Sequence, residues 1–191
     1  MSAKWPVICE DEQHVAFLSR FARGLGVSVD IRLCPHKDQG SKEQWVRNKY
    51  IELSKNYRSR AARVGSICFV IMTDGDKDGW EERLRRLEKA RTESGAPPRG
   101  ASDRCAIFIP TWHIETWLYY LDGHEVEEGS KYKRELDLDS PRECRPQVNT
   151  LLERCKSGVL PDDAPPSLRN ACDEFRTRIK PLLAPTNSRI S

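Results

Sequence analysis

The sequence has no long apolar run and no strong excess of charge of either sign. Its longest apolar stretch, ICFVIM at 67–72, is far shorter than the roughly 18 residues that a membrane-spanning helix needs. Lysine and arginine number 32 against 29 acidic residues, which leaves a net charge of +3. With 38% apolar and 32% charged residues, the composition is typical of a globular domain that has no membrane segment.

Targeting and nucleotide-binding patterns are also missing. The N-terminus MSAKWPVICED has too short an apolar stretch for a signal peptide, so we expect a cytoplasmic protein. Nothing in the chain resembles a P-loop, so an ATPase acting with this protein would have to be a separate partner.

The cysteines form no recognisable framework. There are seven, an odd number at irregular spacings, and no CxxC pair occurs. Cys9, Cys68 and Cys105 lie in strand-like segments, where a reduced thiol packs as a small hydrophobic group. Cys34 and His36 form the one metal-like pairing, and a zinc site there is not favoured. We expect reduced, structural thiols throughout.

Strand-like and helix-like segments alternate through residue 122. The unbroken apolar run at 67–72 is typical of a strand buried on both faces in the middle of a parallel sheet. This βαβ order predicts an α/β fold, with a small, mostly parallel sheet flanked by helices. The predicted strands lie at 5–9, 29–33, 67–72 and 106–109, and the predicted helices at 14–25, 41–57, 80–91 and 113–121.

The character of the chain changes after Gly123. Residues 123–145 are polar and poor in strand-forming residues, and helical stretches are predicted at 146–156 and 167–180. We therefore divide the chain into an α/β core at 1–122 and a helical or irregular extension at 123–191 that packs on it. A frayed end is expected from Pro181 onward.

Acidic residues follow the predicted strands at the points where those strands end. Ligands of open α/β sheets bind at the carboxyl ends of the strands. Carboxylates gathered there repel each other, and Mg²⁺ or Mn²⁺ removes that conflict. We therefore predict a divalent metal site at this edge of the sheet. Its predicted ligands are Glu10 after the first strand, Asp74, Asp76 and Asp78 after the central strand, and Glu115 after the last.

The segment CFVIMTDGDKDGW, residues 68–80, also admits other interpretations. DxDxDG is a calcium-loop pattern, but a strand rather than a helix precedes it, and Arg85 occupies the twelfth position, where an acid is required. A phosphatase with Asp74 as nucleophile fits the strand–DxD form but leaves Glu10 unexplained. Asp78 is also explained as the cap of the helix that begins near Trp80.

Together these motifs resemble the Toprim (topoisomerase–primase) superfamily, and within it the small stand-alone Toprim-like proteins and OLD-type nucleases. That family has a small parallel α/β sheet with a glutamate after the first strand and an Asp-x-Asp after a later one. VICED matches the first with Glu10, and IMTDGD matches the second with Asp74 and Asp76. PTWHIETWLYYL matches a further IETW(L) segment through Glu115. The resemblance covers roughly residues 5–135.

The sequence departs from this family at two positions. Asp11 stands where a glycine usually follows the glutamate, and His14 stands where nuclease members often carry another acid. A histidine can ligate Mn²⁺ or act as a base. We nevertheless expect His14 to be an exposed residue in the first turn of its helix.

The resemblance implies a Mg²⁺- or Mn²⁺-dependent nuclease, an effector of antiviral (anti-phage) defence that works beside a separate ATPase. It does not decide between DNA and RNA. The basic segments 83–91 and 131–134 are candidates for contact with a phosphate backbone. A non-catalytic Toprim-like module that binds nucleic acid or a partner protein, a DxD phosphatase, and a homo-oligomer stay open as alternatives. The implied catalytic residues are Glu10, Asp74, Asp76, Glu115 and Lys133, with Lys131 as an alternative to Lys133.

Overall fold

The computed structural model describes residues 4–36, 40–61, 68–100, 103–133, 135–136, 143–158 and 160–183. Within these residues no helix is both long enough and apolar enough to cross a bilayer. The strands are β1 (Lys4–Cys9), β2 (Ser28–Leu33), β3 (Phe69–Met72) and β4 (Cys105–Phe108). The helices are α1 (Glu12–Gly24), α2 (Lys42–Ala61), α3 (Gly79–Glu93), α4 (Ile114–Leu121), α5 (Arg145–Ser157), α6 (Pro166–Glu174) and α7 (Lys180–Leu183), with a π-helical stretch (Phe175–Ile179) between α6 and α7.

These strands form one parallel sheet in the order β2-β1-β3-β4. The chain starts in β1, crosses to β2 at one edge, and then returns to the other side of β1 to form β3. The crevice beyond the carboxyl ends of β1 and β3 is therefore the topological switch point, where ligands of such sheets bind. The predicted α/β fold, a parallel sheet flanked by helices, is confirmed.

Alternate side chains of each strand supply two separate cores, as the period of a strand requires. On one face Val7, Val70 and Phe108 pack with helices α1, α4, α5 and α6. On the other face Ile8 and Ile71 pack with α2 and α3. Helix α1 after β1 and helix α3 after β3 thus lie on opposite faces, which leaves the crevice between the two strands open to ligands.

The helices after residue 143 extend the first core. Phe175 packs edge-on against Phe21 of α1, with ring centroids 5.2 Å apart, and Trp117 of α4 donates a 2.7 Å hydrogen bond to Ser167 Oγ. A buried aromatic pair of this kind contributes about 0.5–1.5 kcal/mol beyond its area burial. The C-terminal helices are thereby fastened to the α/β core.

One cysteine pair shows that the prediction of reduced thiols throughout is wrong. Cys155 of α5 and Cys172 of α6 form a disulfide, with Cα atoms 5.4 Å apart. This disulfide could not be predicted from the sequence, because the two cysteines lie on different helices, 17 positions apart. Cys9, Cys68 and Cys105 are buried free thiols, as predicted.

Two arginines of α3 point into the protein, so the predicted basic segment of α3 is not one exposed face. Arg83 is only 3% and Arg91 only 2% exposed. Arg83 lies between two carboxylates, 2.7 Å from Asp76 and 2.5 Å from Glu43. Arg91 lies 2.7 Å from Asp103. Both guanidinium groups connect α3 to neighbouring segments of the fold.

Candidate metal centre

Glu10, the first residue after β1, ties that strand to β3. Its backbone N–H donates to Met72 O over 3.2 Å. Its Oε2 accepts hydrogen bonds from Thr73 Oγ1 at 2.5 Å and from the Asp74 backbone N–H at 3.0 Å. Burial and the negative charge of Asp74 raise the pKa of Glu10 despite these two bonds. A cation at this edge would therefore favour its ionised form.

Asp11 fixes the start of α1. Its backbone is extended, and its Oδ1 accepts 2.9 Å hydrogen bonds from the N–H groups of Gln13 and His14. This is the preferred N-cap arrangement for an aspartate. Because the cap sets the direction of the first turn, His14 lies on the side of α1 that faces the edge of the sheet.

The prediction that His14 is exposed is wrong, because its side chain is completely buried. Its Nε2 lies 3.0 Å from Asp74 Oδ1, and its Nδ1 lies 3.9 Å from Asp11 Oδ1. Within the described part of the chain, Nδ1 has no hydrogen-bond partner. An unpartnered buried nitrogen facing a carboxylate is a position that a bound cation could fill.

Asp74 is held between two histidines. Its Oδ1 faces His14, and its Oδ2 lies 3.0 Å from His113 Nδ1. Burial favours the neutral carboxyl, but the charge of His14 and the hydrogen bonds from both histidines hold the pKa of Asp74 well below its usual range. Burial likewise disfavours the charged form of His14, but the charge and hydrogen bond of Asp74 raise its pKa to about 9. A proton on His14 thus supplies positive charge at this site when no cation is bound.

His113 is a site residue that the sequence reasoning missed. It precedes α4 at the N-cap position, and 25% of its side chain is exposed. Its hydrogen bond with Asp74 raises its pKa despite partial burial, and the charges of Asp74 and Glu115 add to this effect. The signal was present in PTWHIETW, because His113 follows the last strand just as the predicted acids follow theirs.

Glu115 and Lys133 both lie near His113, although neither is in the group around Asp74. Glu115 is 8% exposed in the first turn of α4. The charge of Lys133 opposes the rise in the pKa of His113. The segment that carries Lys133 is held by Tyr132, whose ring stacks on Tyr119 of α4 at 5.1 Å. The structure thus brings these two predicted residues to the same side of the site.

Asp76 and Asp78 turn away from the histidines and pair with arginines of α3. Asp76 has a φ of 50° and forms an isolated bridge with Trp112, whose φ is 60°. This backbone aims its Oδ2 at Arg83 Nη2, 2.7 Å away. Asp78 pairs with Arg86 at 2.9 Å and makes no side-chain cap hydrogen bond to α3. The two residues stay predicted metal ligands, with arginines as their present partners.

Gly75 lets this loop lie against the segment after β4. Its N–H donates to Pro110 O over 2.8 Å. A Cβ at this position would lie 2.9 Å from the backbone carbon of Gly79 and 3.0 Å from Pro110 O. Because those neighbours are backbone atoms, a side chain at residue 75 would displace the loop that carries Asp74.

Three side chains of types that can ligate a metal ion come together at the switch point. Within the described residues, ligand atoms of Asp11, His14 and Asp74 all lie within 4.8 Å of one another. Two carboxylates and one imidazole suit Mn²⁺, whereas Mg²⁺ prefers oxygen ligands alone. The unpartnered Nδ1 and the raised pKa of the adjacent Glu10 also fit a cation here.

The predicted site is therefore assembled only in part. Glu10 and Asp74 meet at the crevice as expected, His14 and His113 join them, and Asp76 is diverted to Arg83.

Comparisons with protein-family models, with curated proteins and with solved structures found no match to this chain. The resemblance to the Toprim superfamily accordingly rests on the sequence motifs and their order alone.

Proposed function

We propose that the protein is a metal-dependent nuclease that hydrolyses phosphodiester bonds at the carboxyl edge of its sheet. The observation that carries this proposal is the group of Asp11, His14 and Asp74 at the switch point. Several ionisable groups with shifted pKa values converge there, as is typical of functional sites. The resemblance to Toprim nucleases supplies the reaction class.

Asp11, His14 and Asp74 are the proposed ligands of Mn²⁺ or Mg²⁺. When bound, the cation supplies positive charge to a phosphodiester and makes nearby water more acidic. The protein's own contribution is positioning. Glu10 holds the backbone N–H of Asp74, and His113 holds its second carboxylate oxygen, so the carboxylate keeps one orientation.

Charged side chains around the ligands are proposed to orient the substrate. His113 is partly exposed and Lys133 is exposed nearby, so both can donate to a phosphate oxygen. Glu115 is buried beside His113 and is proposed to orient it through its charge. Asp76 is proposed to position the loop through Arg83, in addition to its predicted role as a ligand.

Nicking of supercoiled plasmid and cleavage of labelled RNA, each in Mn²⁺, in Mg²⁺ and in EDTA, test this proposal. Asp74→Ala removes the central proposed ligand. Asp162→Asn is the matched control, because Asp162 is exposed and lies far along the chain from Asp74. The hydrogen bond that Asp162 accepts from Arg169 is made by its backbone carbonyl, so the substitution keeps that bond. Cleavage that needs metal, falls at least a hundredfold in Asp74→Ala and persists in Asp162→Asn is the expected result.

Two other results would replace the proposal with its alternatives. Binding of nucleic acid without cleavage in any metal would indicate a non-catalytic module. A stable aspartyl phosphate on Asp74 would indicate a phosphatase, although both oxygens of that carboxylate already face histidines at 3.0 Å. A cytoplasmic location is expected from the N-terminal sequence, whereas a role in antiviral defence beside a separate ATPase is what the resemblance implies. Phage challenge of cells with and without Asp74→Ala tests the role in defence.

A further inference from the structure

A basic groove lies along α1 on the side next to the edge strand β2. Its volume is about 240 Å³. Arg20 and Arg23 of α1, Arg32 of β2 and Arg145 of α5 line it, and we call these four the groove arginines. The remaining described lining residues are Glu12, Val15, Ala16 and Ser19.

The groove begins beside the candidate metal centre. Glu12, at its upper end, directly follows Asp11 in the first turn of α1. A second depression of about 350 Å³ shares Ser19, Arg23 and Arg32 with the first and reaches Val29. The two depressions follow the 13 residues of α1, a length of roughly 20 Å at 1.5 Å per residue.

Among the described residues that line the groove, four are arginines and only Glu12 carries a carboxylate. Arg23, Arg32 and Arg145 are exposed, and within the described residues none of them forms an ion pair. Arg20 donates only a weak hydrogen bond to Cys144 Sγ, at 3.6 Å. Four positive charges beside one carboxylate in a groove repel each other, so their arrangement points to an anionic ligand.

A serine hydroxyl completes the donor set. Ser19 Oγ is buried in the wall of the groove and has no partner within the described part of the chain. Guanidinium forks and a hydroxyl are the groups that proteins direct at phosphate oxygens. Because the lining is elongated and rich in such donors, it fits a chain of phosphates better than one isolated anion.

We propose that the groove arginines bind the sugar–phosphate backbone of a nucleic-acid strand and lead it to the metal centre. A track of roughly 20 Å accommodates roughly six nucleotides at about 3.4 Å each. The proposal that the bound strand leads to the metal centre rests on the proposed nuclease function. The proposal that the groove arginines bind nucleic acid does not rest on it. The predicted contact segment on α3 is a separate surface, and two of its arginines are buried.

Binding is measured by fluorescence anisotropy with short labelled DNA and RNA oligonucleotides, in EDTA so that cleavage cannot interfere. The test variant is Arg23→Glu/Arg32→Glu. The control, Lys42→Glu/Lys55→Glu, makes the same change in net charge at two exposed side chains of α2, outside the groove and outside the basic segments 83–91 and 131–134. Circular dichroism and urea unfolding verify that both variants are folded.

We expect the groove variant to lose at least tenfold in affinity at about 50 mM salt and the control to lose less than threefold. The slope of log K against log salt should also become shallower by about 0.7 for each phosphate that the variant no longer neutralises. Equal losses in the two variants, or polyglutamate competing as well as an oligonucleotide of equal charge, would overturn the proposal.

The outcomes for binding and for cleavage are separable. If the wild-type protein binds through the groove but cleaves nothing in Mn²⁺ or Mg²⁺, the nuclease function fails and the groove proposal stands. If the wild-type protein cleaves and Arg23→Glu/Arg32→Glu binds with unchanged affinity, the groove proposal fails and the nuclease function stands.

Discussion

On α3, Arg83 and Arg91 are buried among carboxylates, whereas Arg23 of α1 and Arg32 of β2 are exposed and form no ion pair within the described residues. The exposed arginines of α3 are paired as well, with Glu82 taking hydrogen bonds from its neighbours one turn along. The basic charge of α3 is thus used within the fold. The positive charge of the groove arginines stays available to a ligand. The two regions therefore differ in whether their arginines form ion pairs, more than in how many basic residues they contain.

The largest difference between the two regions should be in stability. We expect Arg83→Ala to lower the free energy of unfolding by about 3 kcal/mol, because it removes the shared partner of Asp76 and Glu43 from a buried position. Arg23→Ala, at an exposed position, should change it by less than about 0.5 kcal/mol. Urea unfolding of both variants measures the contrast.

A further variant at the same position separates charge from packing. Arg83→Met keeps the apolar stem and removes the charge, so it should recover part of the loss. If Arg83→Ala and Arg23→Ala are equally stable, then burial and pairing do not distinguish the two regions, and the comparison fails.

The His14–Asp74 pair gives an intermediate case, in which the pairing depends on a proton. The pKa of His14 is about 9 in the folded protein and about 6.5 in an unfolded chain. Its contribution is therefore complete below about pH 6.5 and is lost as the pH rises through 9. His113, whose pKa is also raised, acts in the same direction. In EDTA we expect the free energy of unfolding to fall in this window by on the order of 2 kcal/mol.

His14→Gln is the control for this pH dependence. It cannot be protonated, so most of the decline between pH 6.5 and 9 should disappear, while the variant is less stable at neutral pH because Asp74 loses a charged partner. Urea midpoints across the pH range measure both effects. An unchanged decline in His14→Gln would assign it to other groups, first among them His113, whose pKa its hydrogen bond with Asp74 also raises.

The fold was predictable because its signals are local. The unbroken apolar run before Asp74 indicated a central parallel strand, and β3 and β4 lie within two residues of their predicted bounds. The positions of Glu10 and Asp74 followed from the rule that ligand-binding residues of a parallel sheet lie directly after the carboxyl ends of its strands. These inferences needed no knowledge of which helix faces lie against the sheet.

The unpredicted part of the site depends on orientation and on contacts between distant residues. His14 is buried because the Asp11 cap turns it inward, and Asp76 is diverted because a positive φ aims it at Arg83. The pairing of Arg91 with Asp103 likewise joins two separate elements. A run of basic residues in the sequence therefore could not show which arginines are buried in ion pairs and which are exposed.

The smallest expected effect tests the converse, that unpaired arginines cost the fold a little stability. Arg32 shares the groove with three other arginines, so Arg32→Gln should remove repulsion and stabilise the protein by about 0.3 kcal/mol at low salt. At about 1 M salt the Debye length falls to about 3 Å, and the gain should vanish.

Arg85→Gln, which loses its pairing with Glu82, should change stability in the opposite direction at low salt. Urea unfolding at both ionic strengths measures these shifts, and a gain in Arg32→Gln that persists at high salt would mean that something other than charge is responsible. If the signs are opposite as expected, the same residue type stabilises the fold on α3 and weakens it slightly beside α1, where its charge is reserved for a ligand.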